Sequence, residues 1–204
     1  MSFVQWDYWL FEWINRGGST FAFLNPVMRF LAEDAEYIFY LGMLVYWFTR
    51  QQQLRRVVAE ALVSACLALG ISGVIGSFFY RDRPFVTHHV LQLIKHAANA
   101  SFPSDHAIGG FVIATTIYFF RRSAGRLWLL LAALIAFSRV WTGVHYPSDV
   151  IAGAMIGALT AALVHLAFTH FKPADRALRG ILAWYDSLEV KVWAKKPKGQ
   201  SLNR

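Results

Sequence analysis

At 204 residues the chain has room for one domain and too little for two. Its 56% apolar and 16% charged residues fall well below the roughly 25% charge that keeps a soluble domain wetted, which excludes an ordinary soluble globule and a disordered chain. The net charge of +8 therefore does not point to nucleic acid until the basic residues are placed against the apolar runs.

The first residues, Met1 to Asp7, carry no basic stretch ahead of an apolar core, so no removable signal peptide is expected. Trp6, Trp9, Leu10 and Trp13 share one helical face, which predicts an interfacial helix over residues 1–16. The apolar stretch 20–32, broken by Asn25, Pro26 and Arg29, is shorter than the ~20 residues a span needs and reads as interfacial or re-entrant. Five stronger spans follow at 35–49, 57–79, 106–120, 127–141 and 148–171. The lone cysteine, Cys66, lies inside the second and rules out a disulfide framework or a structural zinc site. Gly153, Gly157 and Ala161 in the last span predict close helix packing, and Gly70, Gly73 and Gly76 suggest the same in the second. His165 and His170 fall at the inner end of the last span and read as interfacial.

Basic residues set the orientation. Arg50, Arg55 and Arg56 follow the first span, Arg121, Arg122 and Arg126 the third, and Lys172, Arg176, Arg179, Lys191, Lys195, Lys196 and Lys198 the fifth. Those boundaries are expected in the cytoplasm, and the loops 80–105 and 142–147 outside. In the tail, Leu178, Ile181, Tyr185, Leu188 and Val192 recur at helical spacing, which predicts an amphipathic basic helix on anionic lipid, with docking of a partner as the alternative. The expected fold is an all-α polytopic membrane protein, a bundle of five to six transmembrane helices. It forms one domain over 1–204, with a basic cytoplasmic tail at 173–204.

Three polar clusters fall at the outer helix ends: Tyr80-Arg81-Asp82-Arg83-Pro84, Pro103-Ser104-Asp105-His106, and Ser138-Arg139 followed by His145-Tyr146-Pro147-Ser148-Asp149. Pro103 and Pro147 suit the first turn of a helix, and helix N-termini attract anions. Arg83 and Arg139 add planar forks that match phosphate oxygens. His106 and His145 supply groups able to attack or to donate a proton, and Asp149 lies one helical turn after His145, within reach of its ring. Singly, the carboxylates read as helix caps and the arginines as snorkelling anchors; together on one face they read as metal-free phosphoryl transfer. His88, His89 and His96 share the outer loop, but their spacing matches no zinc pattern.

The segments Arg83-Pro84, Pro103-Ser104-x-His106 and Ser138-Arg139-x5-His145-x3-Asp149 resemble the three-part signature of the type-2 phosphatidate phosphatase (PAP2) superfamily, over roughly residues 57–165. Arg83-Pro84-Phe85-Val86, His96-Ala97-Ala98 and Ala100-Ser101-Phe102-Pro103-Ser104-Asp105-His106, with Ser138-Arg139-x-Trp141-x-Gly143-x-His145-Tyr146-Pro147, are similar to its BcrC branch of bacterial undecaprenyl-pyrophosphate phosphatases.

The resemblance implies an integral hydrolase of the bacterial cytoplasmic membrane, with its active site facing outward. It would release phosphate from undecaprenyl pyrophosphate and so recycle the carrier lipid for cell-wall synthesis, a setting linked to bacitracin resistance. It implies that His145 attacks to form a phosphohistidine, Asp149 orients it, His106 protonates the leaving group, and Arg83, Ser104 and Arg139 hold the phosphate. No cofactor, nucleic acid or obligate protein partner is implied beyond the polyprenyl substrate and membrane lipid. The wider superfamily carries lysine where this chain has Gly76 and commonly glycine where it has Asp105; Arg81 is a candidate substitute phosphate contact. A broader lipid phosphatase acting on phosphatidylglycerol phosphate or phosphatidate, or a non-catalytic binder or transporter of anionic lipid, are the alternatives.

Overall fold

The computed structural model describes residues 2–194, so Lys195, Lys196 and Lys198 of the expected basic tail lie outside the described residues. Among the described residues there are nine α-helices and no strand: α1 (Phe3–Thr20), α2 (Asn25–Glu33), α3 (Glu36–Phe48), α4 (Gln52–Phe78), α5 (Pro84–Thr87), α6 (Asp105–Phe120), α7 (Arg122–Trp141), α8 (Pro147–His170) and α9 (Lys172–Ala194). A helix stands at each of the five expected spans. By length and composition α4, α7 and α8 are able to cross a membrane, and α6 is a shorter apolar helix. The chain divides into two compact units, Met1–His165 and Leu166–Arg204.

In the first unit α6 is the central element, packed on α4 and α7. It is apolar nearly all round and buries Ala107, Ile108, Val112, Ile113, Ala114 and Ile117, as a helix enclosed by others must. The main core joins Phe39 of α3 and Val57 and Ala61 of α4 to Ile113 and Ile117 of α6 and Ala132 and Ile135 of α7. α8 closes on α6 through the expected small residues, since a Cβ at position 157 would stand 2.6 Å from the Ile108 carbonyl oxygen. That neighbour is backbone and has no room to give. Gly157→Ala is expected to destabilise the bundle by about 1–3 kcal/mol, read as a lower unfolding midpoint in detergent.

The glycines of α4 behave otherwise. Nothing lies within 4 Å of a Cβ built at Gly70 or Gly73, and only Gly76 nears the Phe102 carbonyl, at 3.3 Å. The buried face of α4 runs instead through Val57, Ala61, Ser64, Ala68 and Ser72, which turns Gly70 and Gly73 outward.

Three boundaries also differ from the sequence reading. α7 begins at Arg122 rather than 127, because helical bonding resumes at once with Gly125 N donating to Arg121 O at 2.8 Å. Pro103 precedes α6 instead of lying in its first turn. Ser104 is extended as the N-cap, with its amide donating to the Asp149 carbonyl at 3.1 Å, so the first helical residue is Asp105. α1 runs on to Thr20, and 20–32 resolves into a single 3₁₀ turn and α2.

The expected tryptophan face of α1 is its outer face: Trp6, Trp9 and Trp13 are exposed, while Asp7, Phe11, Asn15 and Gly18 are buried on the opposite side. Asn15 Nδ2 donates to the carbonyls of Leu91 and Trp141, both at 2.9 Å, and its Oδ1 accepts from Leu91 N at 2.9 Å. One side chain thereby ties α1 to both outer loops. His165, expected at an interface, pairs with the fully buried Glu60 at 2.9 Å and stacks on Phe119. α9 is one continuous helix through the expected Leu178–Leu188 pattern, with Asp175 paired to Arg179 at 2.6 Å.

Candidate active site

The end of α4, the start of α6, the end of α7 and the start of α8 meet through loop backbone. Ser101 N donates to Arg81 O at 2.8 Å, and Leu93 N to Thr142 O at 3.1 Å. The loop between α7 and α8 turns at Gly143, whose φ of +83° suits glycine, and a Cβ there would stand 2.8 Å from Leu91 O. This tight turn sends His145 inward, to 2% exposure.

Three groups fix that imidazole. Arg83 NH1 lies 3.0 Å from His145 Nε2. A guanidinium has no lone pair to offer, so Nε2 is the acceptor and the neutral ring carries its proton on Nδ1. Nδ1 faces Asp149 Oδ2 at 3.5 Å and Ser101 Oγ at 3.4 Å, while Ser101 donates to Asp149 Oδ2 at 2.5 Å and Tyr146 N donates to the same oxygen at 2.8 Å. The fully buried Asp149 is thus aligned from several directions, and the lone pair on Nε2 points at the arginine side of the site.

Burial pushes the His145 pKa from its ordinary value of 6.5 down to about 4; Asp149 opposes the shift, and the positive charges of Arg139 and Arg83 add to it. The ring is therefore neutral at physiological pH. The unfolded chain takes up a proton near 6.5 while the folded ring does not until about 4, so this group costs stability as pH falls through that window. The acid limb of activity is expected near pH 4–5 rather than near 6.5, and an enzyme half-inactive at pH 6.5 would contradict it.

The other predicted residues converge on the same place. Arg83 is anchored by Asn99 Oδ1, Val144 O and Ala100 O at 3.0–3.1 Å. Arg139, 2% exposed, donates through NH1 to Ala32 O at 2.7 Å, whereas its Nε and NH2 have no partner. Ser104 Oγ is also buried and unpartnered. Buried donors without acceptors are costly, and three of them at the start of α6 and the end of α7 define a place for oxyanions. His106 lies within electrostatic range of Arg139, His145, His96 and Arg83. Asp105 is exposed and accepts from Ser72 Oγ at 2.7 Å.

Arg81, expected at the phosphate, has its guanidinium on Ser148 Oγ at 2.7 Å, Asp149 Oδ1 at 3.1 Å and Asp7 Oδ2 at 2.7 Å, and lies 3.6 Å over the Tyr146 ring. It braces Asp149 from outside. Asp7 in turn caps α8 by accepting from Ser148 N at 2.9 Å. Sequence reasoning missed Ser101 and Asp7. The one available signal was an acid at position 7 on an otherwise apolar helix. His88 stacks on Tyr8 at 4.1 Å, while the His96 ring lies 6.2 Å from that of His145. Among the described residues no group of three or more His, Cys, Asp or Glu is arranged to hold a metal ion.

A neutral buried imidazole with a directed lone pair, beside a pocket of unmatched cationic and hydroxyl donors, is equipped to take a phosphoryl group. Residues 57–172 match the PAP2 superfamily. Over 100% of this chain and 99% of the relative, the sequence is 37% identical to the bacitracin transport permease protein BcrC of Bacillus licheniformis. It is 32% identical to the undecaprenyl-diphosphatase BcrC of Bacillus subtilis, covering 96% and 99% respectively. The fold is similar to the crystal structure of Aquifex aeolicus LpxE, with a TM-score of 0.67 and 25% identity over 76% of this chain and 92% of that one.

Proposed function

Because the chain belongs to the PAP2 superfamily, we propose that it is an undecaprenyl-pyrophosphate phosphatase working through a phosphohistidine on His145. The observation that carries this is the set of buried, unpartnered donors, Ser104 Oγ and Arg139 Nε and NH2, next to an imidazole whose Nε2 lone pair faces Arg83. Nε2 attacks the terminal phosphorus, and the bridging P–O bond breaks. His106 gives its proton to the departing prenyl phosphate. The now neutral His106 takes a proton from water, whose oxygen attacks the phosphohistidine, and the P–N bond breaks to release inorganic phosphate. Positive charge on Arg83 and Arg139, with the N-terminus of α6, stabilises the transferring group, so the reaction needs no divalent ion.

Purified protein is expected to release phosphate from undecaprenyl pyrophosphate faster than from phosphatidylglycerol phosphate or phosphatidate. Preference for a glycerophospholipid would select the broader lipid phosphatase, and binding without release the non-catalytic alternative. A relative named for bacitracin transport keeps that alternative in the test.

The protein is an integral membrane protein, and its substrate lies in the bilayer. In this reading the membrane is the bacterial cytoplasmic membrane, and Arg83 and His145 face outward. Arg50 after α3, Arg55 and Arg56 near the start of α4, Arg121 after α6, and Arg122 and Arg126 near the start of α7 support it. A cysteine introduced at position 90 is expected to react with an impermeant maleimide on intact spheroplasts. Reaction only after lysis would reverse the topology.

A further inference from the structure

The mechanism asks opposite things of its two histidines. His145 has to be neutral to attack, and His106 has to carry a proton to the leaving group. Their settings differ accordingly. His145 is enclosed with Asp149, whereas His106, with a side chain 28% exposed, sits at the mouth of a cleft of about 180 Å³ between α3 and α6. Glu36, Tyr40, Leu69 and Ile113 help line that cleft.

The charges around His106 are unfavourable for an acid. Arg139 of α7 and Arg83 of the outer loop are permanently positive and lie within electrostatic range of it, as do the rings of His96 and His145. Asp105, its neighbour on α6, is held away by Ser72 of α4. One carboxylate lies against the ring. Glu36, the first residue of α3, places Oε2 3.4 Å from His106 Nε2, and Tyr40 one turn later hydrogen-bonds the same carboxylate. With Nε2 facing Glu36, Nδ1 is the ring nitrogen left to meet the leaving oxygen.

Resting on the phosphatase reading above, we infer that Glu36 is the positioning residue of the general acid: it holds the His106 imidazolium and aims Nδ1–H at the leaving group. The site then contains two histidine–carboxylate pairs of opposite duty. After the proton has left, Glu36 also stabilises its return from the hydrolytic water.

The test uses the leaving group. Full-length wild type, Glu36→Gln, Glu36→Asp, His106→Ala and the Glu36→Gln/His106→Ala double variant are assayed on dodecyl phosphate, farnesyl pyrophosphate and 4-nitrophenyl phosphate. An alkoxide needs a proton to depart, a prenyl phosphate needs it less, and a nitrophenolate least. Glu36→Gln is expected to lose about 30-fold in the single-turnover rate of leaving-group release on dodecyl phosphate and at least tenfold less than that on 4-nitrophenyl phosphate, in the order shown by His106→Ala. KM should change little, Glu36→Asp should recover part of the loss, and the double variant should be no slower than His106→Ala. Activity on the nitrophenyl ester reports that each preparation is folded. A loss equal on all three substrates, or additive with His106→Ala, would make Glu36 merely structural and overturn the inference. Wild-type protein inert on all three would instead overturn the phosphatase reading on which it rests.

Discussion

Replacing His145 with alanine is expected to abolish both phosphoenzyme and turnover, a loss on the order of 10⁵-fold or more, as for other covalent nucleophiles. No second nucleophile stands in its place, because the adjacent Ser101 gives its proton to Asp149 at 2.5 Å and faces the wrong ring nitrogen. His106→Ala removes a proton donor and should cost about 10²-fold, the low end of the usual range, since a phosphate monoester departs readily. Acid-labile, alkali-stable label from substrate carrying ³²P in its terminal phosphate, quenched in alkaline detergent, should be found on His145 in wild type. Label on His106, or an active His145→Ala enzyme, would reverse the two roles.

Arg139→Lys is the second large effect, on the order of 10²- to 10³-fold in kcat, the cost of losing a charge-stabilising donor from such a site. NH1 is committed to the Ala32 carbonyl while Nε and NH2 stand free. A guanidinium can satisfy α2 and phosphate at the same time because its donors point in different directions. An ammonium on a flexible stem cannot hold both geometries, and either the carbonyl or the oxyanion is left unmatched. Single-turnover kinetics should show the loss in phosphoenzyme formation. A variant within a few-fold of wild type would mean that Arg139 serves the fold rather than the reaction.

The sequence made the six central residues, Arg83, Ser104, His106, Arg139, His145 and Asp149, legible because each sits at a helix end, where local rules apply. Apolar length located the helices, prolines and basic loops marked their ends, and the four-residue step from His145 to Asp149 is itself a contact. The residues it missed act across the chain. Ser101 reaches Asp149 over a separation of 48 residues and Asp7 reaches Ser148 over 141, and no periodicity records such pairs. Arg81 illustrates the same limit. It was the candidate substitute for the superfamily's lysine, yet the docking of α1 delivers Asp7 to it, and its guanidinium is held by Asp7, Ser148 and Asp149. The glycines of α4 were misread because spacing identifies a smooth helix face without saying which way that face turns.

The bond from Arg83 to His145 Nε2 has a consequence for chemoselectivity. The Nε2 lone pair of His145 is engaged by an N–H donor, on a ring 2% exposed. An incoming molecule has to draw the guanidinium toward itself before the imidazole can bond to it, and an anionic oxygen does so where a neutral one does not. Uncharged phosphotriesters and carboxylic esters, including the acyl esters of the surrounding lipids, therefore meet a covered nucleophile. On the proposed mechanism, the same arginine that binds a phosphate would keep the dense ester content of the bilayer out of the reaction.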